Sequence, residues 1–229
     1  MNPEDLKRMA AEKAVEFVED GMTVGLGTGS TAYYAIKAVG RLVDQGYDLE
    51  CVATSLQTER IARESGIDVM DMNSVENVDL TIDGADEVDP SLHLIKGLGG
   101  ALLREKIVAA ATEMEIIVVD SSKLVQKLGT RSPLPVEVLI FGSDHTAARL
   151  KALGCDPVLR TKEGEAFITD GGNLIYDCHF QDGIGHPFHM ESKINTIAGV
   201  VDNGLFLDVA KKVVVAHQDR LEILDKPPA

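Results

Sequence analysis

The sequence predicts an α/β protein: a parallel sheet with helices on both faces, followed by a smaller α+β domain. Three observations predict it. Short apolar runs alternate with helical stretches through the first half of the chain, and several of those runs break into glycine-rich turns. From about Gly129 the rhythm changes to strand, helix, strand, two turn signals, helix and strand. The first pattern is Rossmann-like, and the second is a split βαβ, ferredoxin-like arrangement. The expected domains are 1–129 with 203–229, discontinuous and catalytic, and 130–202.

Taken in order, Leu6, Ala10, Ala14, Phe17 and Val18 form a helical stripe that stops near Gly21. Met22–Leu26 is a short strand, and a helix runs from Ala32 to Val39. Cys51–Ala53 is a strand, Thr54 or Ser55 is a cap, and Leu56–Ser65 is a helix that Gly66 stops. Ile67–Met70, Val78–Ile82 and Leu92–Ile95 read as strands, and Ala101–Met114 as a helix. Glu115–Val119 is nearly continuous apolar sequence, as in a parallel strand buried on both faces. In the second part, Leu134–Ile140, Pro157–Arg160 and Ala198–Val201 are strands, and Ser143–Leu153 and Glu191–Thr196 are helices. Glu163-Gly164 and Asp170-Gly171-Gly172-Asn173 are the turn signals. Leu205–Val215 is apolar enough to return to the first sheet.

Composition narrows the function. A net charge of −15 repels nucleic-acid phosphates, and no apolar window is long enough to span a membrane. Three cysteines without CxxC spacing suggest neither a disulfide framework nor a thiolate zinc site, which fits a cytoplasmic location. His179, His186 and His189 lack helical i,i+4 spacing and are interrupted by Pro187, so the expectation is that no metal is bound.

The candidate chemistry lies where strands end. Gly25 to Thr31 (GLGTGST) follows a strand and opens a helix, so its backbone N–H groups and the hydroxyls of Thr28, Ser30 and Thr31 can hold a phosphate. The alternative is a tight turn with a capping hydroxyl. Asp83 falls at the carboxyl end of the Val78–Ile82 strand, where open α/β sheets bind ligands, although Asp-Gly also forms turns readily. Lys96-Gly97-Leu98-Gly99 offers a charge and N–H donors to an oxyanion. Glu105 lies opposite the Leu103, Ile107, Met114 stripe, yet among the small or apolar Ala101, Val108, Ala109 and Thr112. Such a face suits a cleft, where partial desolvation makes a carboxylate a better base. Lys123 follows the last strongly apolar strand, at the same sheet edge.

Seven ordered stretches, GLGTGST, TSLQTERIARESGI, DLTIDGADEVD, KGLGGALLREKIV, DSSKLVQKLG, GGNLIYD and GVVDNGLF, resemble ribose-5-phosphate isomerases of the A type over about Lys7 to Val215. The resemblance implies interconversion of ribose 5-phosphate and ribulose 5-phosphate through a cis-enediolate, in the non-oxidative pentose phosphate pathway, with no cofactor or metal. It implies that Glu105 is the proton acceptor, that Asp83 or Asp86 assists ring opening, and that Lys96 stabilises the enediolate. Substrate would be lined by Thr28, Gly29, Ser30 and Thr31, by Asp83, Gly84, Ala85 and Asp86, by Lys96, Gly97, Leu98 and Gly99, and by Lys123. Lys7 fits the family's N-terminal helix. The implied partner is a pentose 5-phosphate, and the implied assembly a homodimer or homotetramer. Leu98 departs from the family's usual glycine, and would be strained if that position needs positive φ.

Overall fold

The computed structural model describes residues 2–226; Met1 and residues 227–229, the ends of the expected first domain, lie outside the described residues. In chain order, α1 (Pro3–Val15) begins at Asn2, whose side chain accepts the Asp5 N–H at 2.8 Å. There follow β1 (Thr23–Leu26), α2 (Ser30–Asp44), β2 (Glu50–Ala53) and α3 (Leu56–Arg63). Next come β3 (Val78–Gly84), β4 (Glu87–Val88), β5 (Leu94–Ile95), α4 (Leu102–Ala110) and β6 (Thr112–Asp120). The chain continues through β7 (Leu134–Val138), α5 (Ser143–Lys151), β8 (Asp156–Leu159), β9 (Thr161–Lys162), β10 (Glu165–Ala166) and β11 (Leu174–His179). It ends with α6 (Pro187–Asn195), β12 (Val200–Asn203), β13 (Leu205–Phe206), β14 (Lys212–Ala216) and β15 (Leu221–Asp225).

The described residues fall into two compact units. Among the described residues, the first comprises 2–85, 104–124 and 209–226. Its six-stranded sheet has the order β15-β14-β6-β3-β1-β2 and is parallel except for β15. Successive residues of β2 feed different cores, as a pleated strand requires: Cys51 packs with Ala10, Val39 and Val118, and Val52 with Val78 and Val108. Covered on both faces, β6 is buried without a break from Glu115 to Val119. The chain leaves β1 toward β2 on one side and later returns to place β3 on the other. That reversal is a topological switch point, where α/β sheets leave a crevice beyond the strands' carboxyl ends.

The second unit comprises Asp86–Leu103 and Val125–Asp208. Its four-stranded antiparallel sheet has the order β12-β7-β11-β8, which places the first strand of the β-α-β-β-α-β run between the last and the third, as in a ferredoxin-like sandwich. The extra β9–β10 hairpin turns at Glu163 (φ 55) and Gly164 (φ 88), the double positive φ of a two-residue turn. A small sheet of order β13-β5-β4 completes the unit. Glu87 of β4, fully buried, accepts the N–H groups of Gly129 (2.6 Å), Arg131 (2.7 Å) and Ser132 (2.5 Å), which pins the chain ahead of β7.

Several expected elements are corrected. Ile67–Met70 is not a strand: one parallel bridge joins Val69 to Cys51, and Asp71 then caps a 3₁₀ turn over Met72–Ser74. The helix expected over Ala101–Met114 ends at Ala110, and Thr112–Met114 open β6, where the hydroxyls of Thr112 and Thr81 meet at 2.7 Å. The inner face of α4 carries Leu102, Glu105, Val108 and Ala109, whereas Leu103 is half-buried, Ile107 is 50% exposed and Met114 belongs to β6, so no single apolar stripe runs over these three residues. Leu92 lies outside β5 in a left-handed turn (φ 61). In Leu205–Val215, the first two residues pair with β5, and only the stretch from Lys212 joins the parallel sheet.

Candidate active site

At the switch point, the end of β1 lies directly on the side chains of β3. A Cβ at Gly25 would stand 2.0 Å from Thr81 Oγ1, and one at Gly27 would stand 2.3 Å from Asp83 Oδ1 and 2.5 Å from the Asp83 Cα. Glycine at both positions lets the carboxylate of Asp83 pass beneath the turn. Asp83 Oδ1 accepts the N–H groups of Thr28 (3.0 Å) and Gly84 (2.7 Å). Gly29 (φ +119) then opens α2 with no side-chain cap, so the helix's first N–H groups are not claimed by a capping hydroxyl. Ser30 is exposed and Thr31 half-buried.

The Thr28 hydroxyl, expected to face a phosphate, lies among protein hydroxyls. Its Oγ1 is 2.8 Å from Thr54 Oγ1, 2.8 Å from Ser55 Oγ and 3.0 Å from Thr58 Oγ1. Thr54 and Thr58 give their own protons to backbone carbonyls, so the protons of Thr28 and Ser55 are the ones left to bridge the four hydroxyls. The cluster is tied to the strand end, because Thr58 Oγ1 donates to Gly27 O (2.8 Å) and Thr54 Oγ1 to Leu26 O (3.0 Å). The Thr28 hydroxyl thus helps to hold the turn. Thr58→Val, similar in volume, leaves these buried groups short of a partner. It is expected to cost about 1–3 kcal/mol of stability, read as a lower urea midpoint at unchanged slope.

Glu105 lies in the first turn of α4, where the helix dipole favours an anion, and is 4% exposed. One turn later, Val108 packs with Val52 and Val78, and Val78 begins β3. The helix thus descends beside the sheet, with its Glu105 end toward the carboxyl edge. Lys123, half-buried, closes a 3₁₀ turn directly after β6 that the Asp120 side chain caps through the Ser122 N–H (2.8 Å). Lys7 pairs with Glu4 at 2.8 Å on α1. Asp83 and Gly84 end β3, the Thr28 turn follows β1 and Lys123 follows β6, so all lie at the carboxyl ends of adjacent strands.

In the second unit, Lys96 is 2% exposed, donates its N–H to Gly204 O (2.9 Å) and holds its Nζ 5.3 Å from the centre of the Phe206 ring. The turn after it bends at Gly97 (φ +102) and Gly100 (φ +81). Leu98 is not in the left-handed region, so the leucine carries no backbone strain there, and its N–H donates to Asp86 Oδ2 at 2.9 Å. Leu98 and Gly99 are exposed. Sequence reasoning missed Arg160, whose Nη1 donates to the carbonyls of Gly97 (2.8 Å) and Leu98 (3.1 Å), and Asp177, which holds that guanidinium. It saw Thr54 and Ser55 only as caps. The repeated hydroxyls in Thr54-Ser55 and Thr58 were the available signal for the cluster; nothing near Arg160 in sequence marks it. Among the described residues, no three His, Cys, Asp or Glu side chains are grouped to hold a metal ion, and His179, His186 and His189 form no such group.

The family model for ribose 5-phosphate isomerase A (phosphoriboisomerase A) matches residues 50–220. The chain is 51% identical to a ribose-5-phosphate isomerase A of Gloeobacter violaceus, covering 98% of this chain and 97% of that protein. It is 46% identical to one of Bacillus mycoides, with 95% and 98% covered. Among solved structures, ribose 5-phosphate isomerase A of Methanocaldococcus jannaschii superposes with a TM-score of 0.93 at 38% identity, over 98% of this chain and all (100%) of that one. A D-ribose-5-phosphate isomerase in complex with phospho-erythronic acid superposes with a TM-score of 0.95 at 40% identity, over 98% and 100%. Matched from end to end in sequence and in fold, the chain belongs to the ribose 5-phosphate isomerase A family.

Proposed function

We propose that the protein interconverts D-ribose 5-phosphate and D-ribulose 5-phosphate through a cis-enediolate, without a metal or organic cofactor. The observation that carries this reading is the burial of three charged side chains from the family motifs: Asp83 at 1% exposure, Lys96 at 2% and Glu105 at 4%. Buried charges are costly to a fold, and they concentrate where chemistry needs them. Phospho-erythronic acid, bound by a relative of the same fold, carries a planar carboxylate at one end and a phosphate at the other. That is the charge pattern of an enediolate phosphate.

In this reading the N–H groups and hydroxyls of Ser30 and Thr31, with Gly29, take the phosphate, and Lys123 adds a positive charge. Thr28, Gly84, Ala85, Gly97 and Leu98 shape the walls. Asp83 or Asp86 moves the proton that opens the furanose ring. Glu105 takes the C2 proton of the open aldose; the C–H electron pair becomes the C1=C2 bond, and the C1 carbonyl oxygen gains negative charge, which Lys96 and the Gly99 N–H offset. Return of the proton to C1 on the same face, with transfer of the O2 proton to O1, gives the ketose.

The enzyme acts in the cytoplasm, in the non-oxidative pentose phosphate pathway, as a homodimer or homotetramer, and binds neither nucleic acid nor membrane. Cys51, Cys155 and Cys178 are free, buried thiols, which suits a reducing compartment. Exposed Leu139, Ile140 and Phe141 support self-association. No described helix is long and apolar enough to cross a membrane. The test is NMR of ribose 5-phosphate in D₂O with enzyme, with and without EDTA. The expected result is hydrogen exchange at C1 and C2 that chelation leaves unchanged; loss of exchange with EDTA overturns the metal-free mechanism.

A further inference from the structure

The turn after Lys96 is held by groups that lie far away in sequence, and their geometry fixes where its N–H groups point. In the Gly97–Leu98 peptide, the carbonyl accepts Arg160 Nη1 at 2.8 Å, and the Leu98 N–H at the other end donates to Asp86 Oδ2 at 2.9 Å. That peptide is pinned at both ends. In the next, Leu98–Gly99, the carbonyl accepts the same Nη1 at 3.1 Å. The described chain has no cis peptide bond, and a trans peptide points its N–H opposite its carbonyl. The Gly99 N–H is therefore aimed away from the guanidinium, on an exposed residue.

Arg160 is itself well fixed. It follows β8, and Asp177 is on the neighbouring β11, paired with Val158. The Asp177 carboxylate takes two bonds from the guanidinium, one from Nε at 2.9 Å, and the two side chains are only 11% and 18% exposed. A planar fork held in this way has little freedom, so the two carbonyls it grips have little freedom either. Phe167 closes the far end of the turn: a Cβ at Gly100 would stand 2.4 Å from its ring.

We infer that Arg160, braced by Asp177, is a positioning residue for the isomerisation: it orients the Leu98–Gly99 peptide so that the Gly99 N–H serves as a preset donor to the oxyanion of the enediolate. This rests on the reading that the Lys96 turn serves the reaction. Donors set in advance at a developing charge act on the transition state more than on the bound ground state. Loss of the brace should therefore appear in kcat. A lysine at 160 supplies charge without the fork and cannot grip both carbonyls and Asp177 together.

The experiment measures kcat and KM for ribose 5-phosphate with Arg160→Lys, Asp177→Asn and Lys96→Met beside the parent enzyme. Arg160→Lys and Asp177→Asn are expected to lower kcat by about 10–100-fold, with KM within about threefold of the parent value. Asp177→Asn keeps the side-chain volume, so it carries the test if Arg160→Lys does not fold. Parent-like kcat in the folded variants, or a loss confined to KM, overturns the inference while a Lys96→Met loss leaves the reading of the turn standing. Full turnover in Lys96→Met overturns that reading, and the inference with it.

Discussion

Glu105→Gln is expected to fold and bind substrate like the parent protein and to lose turnover by about 10²–10⁴-fold or more. The amide keeps the size and the hydrogen-bonding reach of the carboxylate, but it cannot accept a proton from carbon. Because Glu105 is buried in the first turn of α4, the substitution also removes a charge whose desolvation is costly to the fold. The measurements are kcat, KM and the urea midpoint of the same preparation. The expected pattern is a collapse of kcat with KM and midpoint little changed. Near-full turnover in the glutamine variant would contradict the assignment of the base.

Gly27→Ala should have a large structural effect for a single methyl. Its Cβ would stand 2.3 Å from Asp83 Oδ1, 2.4 Å from Cγ and 2.5 Å from the Asp83 Cα. Rotation of a side chain cannot relieve a clash with a backbone carbon. Nor can the strand end retreat cheaply, because the Gly27 N–H bonds Ile82 O at 3.0 Å and Gly27 O accepts from the buried Thr58. Overpacking of this kind costs about 1–3 kcal/mol, occasionally more. The same shift breaks the bond from the Thr28 N–H to Asp83, so kcat/KM should fall together with the urea midpoint. Gly185→Ala is the control: its Cβ would meet nothing within 4 Å and its φ is not positive, so its stability should stay within about 0.5 kcal/mol of the parent value.

What sequence patterning revealed, and what it hid, follows from the range of the interactions involved. The parallel sheet was legible because its strands are apolar runs, of which β1 and β3 run into glycine, and Gly27 and Gly29 mark a sharp turn before a helix by composition alone. The ferredoxin-like order was legible because β7 to β12 alternate with two helices and clear turns. Ile67–Met70 misled because apolar character does not reveal whether an edge has room for another strand, and here only Val69 bridges. The face of α4 that carries Glu105 was legible because its neighbours Ala101, Val108 and Ala109 are small or apolar, and that face is buried while Ile107 is exposed. The supports of the site were the least legible. Thr28 meets Thr58 across 30 residues and Arg160 meets Gly97 across 63, and no local pattern records such a pairing.

The chain's path through its two units bears on how the protein is made. It passes from one to the other after Ala85, Leu103, Leu124 and Asp208. The second unit has all its residues once Asp208 has been synthesised, but the parallel sheet still lacks β14 and β15, which flank β6 on its outer side. About ninety residues separate the end of β6 from the start of β14, or about 5–20 s on the ribosome. Through that interval β6 is a bare, apolar border open to pairing with a neighbouring nascent chain. The smaller unit is thus placed to mature first, and the last stretch translated is the one that seals the larger.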